Sequence, residues 1–187
     1  MKINMNNWEL ETEHGIYFWG GILSNWARSM FTAKLAPTGN LLEFNTAEQY
    51  MMRIKAEVFN DTVSAEQIML SVDPRHQKRL GRAIIGYSDA VWNPIARDLS
   101  YVGIYNKFMQ IPSMQKALLG SGDKLIVEAS PVDTKWGVGL DYHDLRIFDK
   151  AQWRGTNWLG QILMKVRDDI RNGASSEFTK IDWTRYE

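Results

Sequence analysis

The sequence contains no cysteine, which excludes a disulfide framework, a thiolate nucleophile and the common cysteine-based zinc sites. Its three histidines, His14, His76 and His143, are not spaced for a metal site. There is no Gly-x-Ser-x-Gly elbow, no P-loop and no complete dinucleotide fingerprint. Neither a metal nor a cofactor is therefore expected. No apolar run approaches the roughly 20 residues that cross a bilayer, and residues 1–7 lack the apolar core of a secretory signal. The expectation is a cytoplasmic protein with no membrane partner. Charge of one sign is also missing, since 22 basic residues balance 22 acidic ones. Such a chain has no general field for phosphate polymers, so a nucleic-acid substrate would be read at one local modification.

What is present suits an ordinary globular protein: 187 residues, 44% of them hydrophobic and 24% charged. A helix-rich α+β fold is expected, a single domain over residues 1–187 with a small sheet at one side. Its core should span about 18–171, with a polar tail over 173–187 partly ordered by Phe178 and Trp183. Phe31 to Leu35, a turn at Pro37-Thr38-Gly39-Asn40, and Leu41 to Phe44 read as a β-hairpin. Thr46 with Gln49 forms a capping box that opens a helix to about Phe59. Ser64 with Gln67 repeats the signature, and Asp73-Pro74 starts a third helix that Gly81 ends or interrupts. Helical spacing of Val91, Trp92, Ile95, Leu99, Val102, Tyr105 and Met109 predicts a long helix from Ser88 to about Met109. Pro112 begins a short helix, Leu125-Ile126-Val127 a buried strand. A last amphipathic helix should run from about Asn157 to Arg171, with Gly173 as its C-terminal cap.

Three places could carry chemistry. Glu48 and Lys55 lie seven residues apart, close to two helical turns, so both project from one face beside Met51 and Met52. A lysine among methionines is partly desolvated, which favours the neutral, nucleophilic amine. A solvated surface stripe is the plainer alternative. Residues 128–140 form a loop leaving a strand, with Glu128, Asp133, Trp136, Gly137 and Gly139. Here Trp136 offers a flat face and Gly137 a close backbone approach to a ligand, unless the tryptophan simply plugs the core. Third, Asn157 caps the last helix, or the helix start behind Arg154-Gly155 cradles phosphate or sugar hydroxyls.

Taken in order, several segments resemble the NADAR (YbiA-like) N-glycosidase family. They are Leu23-Ser24-Asn25-Trp26, Thr46-Ala47-Glu48-Gln49-Tyr50, Lys55, Leu80-Gly81-Arg82, Trp92, Lys107-Phe108, the 128–140 loop, and Trp153 to Gly160 running on through Arg167. The family's Glu-His-Tyr reads Glu48-Gln49-Tyr50 here, and its Leu-Ser-Asn-Phe reads Leu23-Ser24-Asn25-Trp26. The resemblance implies hydrolysis of a ribose–nitrogen bond. The substrate would be a phosphorylated ribosylamino-pyrimidine of riboflavin synthesis, or an ADP-ribosyl group on guanine, with ADP-ribosylated DNA or RNA among the partners. It implies that Lys55 attacks the anomeric carbon to form a Schiff base, while Glu48 and Asp133 move protons. Trp92 and Trp136 would wall the pocket, Ser24, Asn25 and Asn157 would hold sugar hydroxyls or phosphate, and Gly137 would admit the ligand. The alternative is a module that binds ADP-ribose or a nucleotide without cleaving it.

Overall fold

The computed structural model describes residues 4–6, 8–35, 38–174 and 180–187. The fold is α+β, with six helices and two small sheets among the described residues. The chain divides into two compact units.

The first unit comprises Met1–Ser24, Ser113–Ala174 and Asp182–Glu187. Its sheet has the order β1(Asn4–Asn6), β2(Glu9–Glu11), β3(Gly15–Phe18), β6(Leu125–Glu128). The first three strands form an antiparallel meander, and β6 adds in parallel to β3, with Tyr17 opposite Val127. Leu10, Tyr17, Val127, Ala129, Val138, Leu140 and Ile147 make a core cluster here. Helix α5(Pro112–Gly120) precedes β6, and α6(Trp158–Asn172) packs on it. Gly173 closes α6 in the left-handed region, φ 65°. The buried Arg167 side chain ties α6 to the turn before β6, donating to Ser121 Oγ (2.9 Å) and the Lys124 carbonyl (2.8 Å). Trp183 is buried as expected of an ordered tail, whereas Phe178 lies outside the described residues.

The second unit comprises Asn25–Pro112 and Ser175–Ile181. The expected hairpin is β4(Phe31–Lys34) with β5(Leu41–Phe44), Phe31 opposite Phe44; Pro37 of its turn lies outside the described residues. Helix α1(Ala47–Val58) follows at once and packs against α2(Thr62–Leu70), α3(Pro74–Arg82) and α4(Asp89–Gln110). It is the hub of the unit.

A buried amide network fixes the entrance to α1. Thr46 Oγ1 accepts from the Gln49 N–H at 2.9 Å, as a capping residue should. The reciprocal arm of the box lands one residue early, with Gln49 Oε1 accepting from the Asn45 N–H at 2.8 Å. Gln49 Nε2 meanwhile donates to the Ile68 and Ser71 carbonyls at 3.0 and 3.1 Å, filling acceptors that the end of α2 leaves open. Gln77 mirrors it, accepting from Thr46 Oγ1 and donating to Asn45 Oδ1 and the Ser71 carbonyl.

Four expectations change. Helix α2 starts at Thr62, because the Asp61 carboxylate accepts from both the Ser64 N–H and Ser64 Oγ and so takes the capping role from Ser64. Helix α3 passes through Gly81 to Arg82. Val91 and Met109 of the α4 stripe are exposed. Strands β1 to β3 were not foreseen.

Gln49→Ala strands the Asn45 N–H and the α2 carbonyls in a buried place. It should cost about 1–3 kcal/mol, read as a lower urea midpoint at unchanged slope.

Candidate active site

Lys55 sits in the last turn of α1 and is buried, 8% exposed. Its Nζ donates to the Gly81 carbonyl of α3 at 2.8 Å and lies 3.9 Å from the centre of the Tyr87 ring. The solvated-stripe alternative is thereby excluded. Glycine at position 81 lets the helices close, since a Cβ there would displace the Met52 side chain of α1. The same missing side chain thus lets α3 close on α1 and brings its carbonyl within reach of the amine.

Glu48, on the first turn of α1, is 2% exposed. The Asn25 carbonyl accepts from the Glu48 N–H at 2.9 Å, which fixes Asn25 beside the start of the helix. Asn25 is itself buried, and its Oδ1 accepts no hydrogen bond among the described residues. A buried acceptor left open in this way is a natural place for a ligand hydroxyl. Trp92, on α4, is 3% exposed. Lys55, Glu48, Asn25 and Trp92 thus all belong to the second unit, on or around the α1 hub.

Two residues of this unit were missed. Tyr87 follows α3, and its hydroxyl donates to Asp89 Oδ1 at 2.8 Å. Desolvation, then the Asp89 carboxylate, pushes its phenol up to about 12, so the ring stays neutral. A neutral electron-rich ring face holds an ammonium or an amine N–H. Lys107 of α4 is fully buried, 4.8 Å from the Phe108 ring centre, and burial brings its amine down to about 7. The Lys107-Phe108 run carried part of the resemblance, but a lysine inside a helix reads as surface by default.

In the first unit the 128–140 loop is held by backbone. The N–H groups of Arg154, Thr156, Asn157, Trp158 and Leu159 donate to the carbonyls of Val138, Thr134, Gly137, Lys135 and Trp136 at 2.9–3.2 Å. Asp133 shapes the turn, with Oδ1 accepting from the Lys135 and Trp136 N–H groups at 3.1 and 2.8 Å. Trp136 is half-buried, edge-on to Trp158 at 5.7 Å. Ser24 is half-buried, its N–H bonded to the Gly21 carbonyl.

This arrangement corrects three expectations. The N–H groups opening α6 already serve loop carbonyls, so that helix start is no phosphate cradle. Asn157 makes no side-chain cap. Its left-handed backbone, φ 56°, aims the amide at β6, where Oδ1 accepts from the Glu128 N–H (3.0 Å) and Nδ2 donates to the Ile126 carbonyl (2.9 Å). Its amide thus clamps the loop end to β6. Gly137 likewise faces backbone, because a Cβ there would lie 2.8 Å from the Glu128 carbonyl oxygen. Gly155 closes the same packing against the Gly137 and Thr134 carbonyls. Thr156, Asn157 and Trp158 also border a cavity of ≈ 490 Å³ with Trp153, Gln161 and Tyr186. Among the described residues no cluster of three or more His, Asp or Glu side chains could hold a metal ion.

The architecture is that of a small α+β protein already represented by a solved structure. The NMR structure of the Escherichia coli protein YbiA matches with a TM-score of 0.66 at 23% identity, over 89% of this chain and 90% of that one. A family model described as the NADAR domain matches residues 17–171, and the chain belongs to the NADAR family. Protein irg-1 of Caenorhabditis elegans is 35% identical over 178 residues, 89% of this chain and 77% of that protein. N-glycosidase R617 of Acanthamoeba polyphaga mimivirus is 34% identical over 168 residues, 86% of this chain and 98% of that one.

The Lys107 amine, ordinarily near 10.5, releases its proton near 7 when folded. Between about pH 7 and about pH 10 the unfolded chain therefore holds one more proton than the folded chain, and stability should rise with pH. Above that window the raised phenols of Tyr87 and Tyr186 reverse the trend. Urea midpoints measured across pH 7 to about 9.5 should climb for the wild type and lie flatter for Lys107→Met.

Proposed function

We propose that this NADAR protein is a hydrolase of N-glycosyl bonds that cleaves a ribose–nitrogen linkage through a covalent intermediate on Lys55. The observation that carries this reading is the Lys55 amine, buried on α1 and held by the Gly81 carbonyl and the Tyr87 ring. A buried amine that keeps acceptors for its N–H bonds in a site of low polarity is poised to act as a nucleophile. The family membership and an N-glycosidase relative that this chain matches over nearly its whole length support the same class of reaction.

The neutral amine attacks the anomeric carbon of the ribose. The carbon–nitrogen bond to the base breaks, and its electron pair leaves with the base nitrogen, which takes a proton from a carboxylic acid. Glu48, buried at the start of α1, is the carboxylic acid we assign to that task. Opening of the sugar ring, with protonation of its oxygen, converts the lysine adduct to an imine. Water then adds to the imine carbon and the amine departs, so one water is consumed for each base released. Asn25 Oδ1 accepts a ribose hydroxyl, and Trp92 bounds the space on α4. The roles of Asp133 as a second proton carrier, and of Trp136 and Ser24 in binding, rest on the family motif. Between the two substrate classes we favour an ADP-ribosyl group over the ribosylamino-pyrimidine phosphate.

A parallel hydrolysis assay with an ADP-ribosylated guanine oligonucleotide and the pyrimidine riboside phosphate separates the substrates. Borohydride added during turnover should leave a mass adduct on the peptide bearing Lys55. Lys55→Arg and Lys55→Ala should lose the adduct and at least about a hundredfold in rate, and Glu48→Gln a comparable amount. A Lys55→Arg enzyme that turns over at the wild-type rate would remove the covalent route.

A further inference from the structure

In a chain whose charges balance overall, α3 stands apart. Its nine residues hold Arg75, Lys78, Arg79 and Arg82, together with His76, and no carboxylate. Arg75, Arg79 and Arg82 fall at i, i+4 and i+7, one stripe of the helix, and all three are exposed. None of the three is in an ion pair among the described residues, whereas Arg53, Arg146, Arg171 and Arg185 each lie against a carboxylate. An arginine stripe without counter-charges is maintained against its own repulsion, so an anion that covers it gains on every contact.

The position of the stripe gives it meaning. Helix α3 supplies the Gly81 carbonyl that holds Lys55, and Tyr87 beyond it covers the same amine. Gly81 and Arg82 are neighbours, so the basic row ends one residue from the candidate nucleophile's acceptor. Its length, roughly 10 Å at 1.5 Å per residue, spans about three nucleotides of a strand rising roughly 3.4 Å per phosphate. That is longer than the pyrophosphate of a single nucleotide sugar requires.

We infer that the Arg75–Arg79–Arg82 face of α3 is a docking rail for the phosphate backbone of a single-stranded nucleic acid whose ribosylated base enters the Lys55 site. The inference rests on the proposed reaction and adds to it the surface that would grip the strand. Single strands fit because a base must leave its stack before its glycosidic surroundings are reached. The neutral remainder of the chain then limits binding to this row, and registers the strand relative to Lys55 without coating it.

The test uses the full chain and a fluorescein-labelled, unmodified single-stranded oligonucleotide, with anisotropy followed from about 50 to about 200 mM salt. Each phosphate contact contributes about 0.7 to the salt slope of a single strand. The R75Q/R79Q/R82Q protein should therefore have a slope smaller by about 2, the wild type losing about twentyfold more affinity across that range. R75Q/R79Q should hydrolyse a small ribosyl substrate within twofold of the wild type, since neither residue touches the amine. The rail is overturned if the wild type does not bind the oligonucleotide, or if the triple variant keeps the wild-type slope. An equal loss of affinity for free ADP-ribose overturns it too, because the arginines would then serve the sugar's own pyrophosphate. Arginine-dependent binding to anionic phosphatidylserine vesicles in place of the oligonucleotide has the same consequence. A wild type that hydrolyses neither small nor polymeric substrate sinks the proposed reaction, while the slopes still decide the rail.

Discussion

The hydrogen bond from Lys55 to the Gly81 carbonyl is the constraint on which the second unit turns. A buried amine needs partners for its N–H groups, and little water reaches it at 8% exposure. A backbone carbonyl supplies one, with α3 so close to α1 that a Cβ at position 81 would displace the Met52 side chain. The site is thus built by helix packing. Once α1 and α3 are locked at that distance, the turn after α3 carries Tyr87 over the amine, and the Asp61 carboxylate pins that turn by accepting from the Ile85 N–H at 2.9 Å. The same carboxylate caps α2. One acidic side chain therefore sets both the start of a helix and the approach of the aromatic lid.

The amide network at the other end of α1 answers to the same need. Glu48 is buried at the helix start. Asn45, Thr46, Gln49 and Gln77 satisfy one another and the end of α2 with neutral groups. Gln in place of the family's histidine fits this arrangement. Its amide offers two donors and an acceptor, which serve the carbonyls of Ile68, Met69 and Ser71 and the Asn45 N–H, without a group that titrates near neutrality.

Much of α1 could be read in advance. Thr46 and Gln49 announced its start, and the seven-residue spacing put Glu48 and Lys55 on one face. Asp73-Pro74 gave α3 and Gly173 the end of α6 for equally local reasons. The misses are non-local. Asp61 outcompeted Ser64 because its carboxylate also reaches the turn before Tyr87. Strands β1 to β3 are three or four residues long, and β3 finds its parallel partner β6 more than a hundred residues away, beyond any window of alternation. Val91 and Met109 fit the helical period yet face outward, because α4 is buried over most of its circumference around Leu99 to Phe108 and periodicity alone does not choose its dry side. Asn157, ahead of an apolar helix, carried the mark of a cap, and only its left-handed backbone reveals that the amide turns to β6. Tyr87 had no local signal at all, and Gly81 read as a helix breaker with nothing to show that its carbonyl would hold Lys55.

The 128–140 loop of the first unit is held largely main chain to main chain, through five N–H groups of residues 154–159, with side-chain help from Ser130, Asp133, Thr156 and Asn157. Of its other side chains, those of Val138 and Leu140 are buried in the core cluster, while those of Val132 and Thr134 are exposed. Such a segment can exchange its outward chemistry without unfolding. A lineage built on this scaffold is free to retarget what it recognises by rewriting a handful of letters there, leaving the framework beneath untouched.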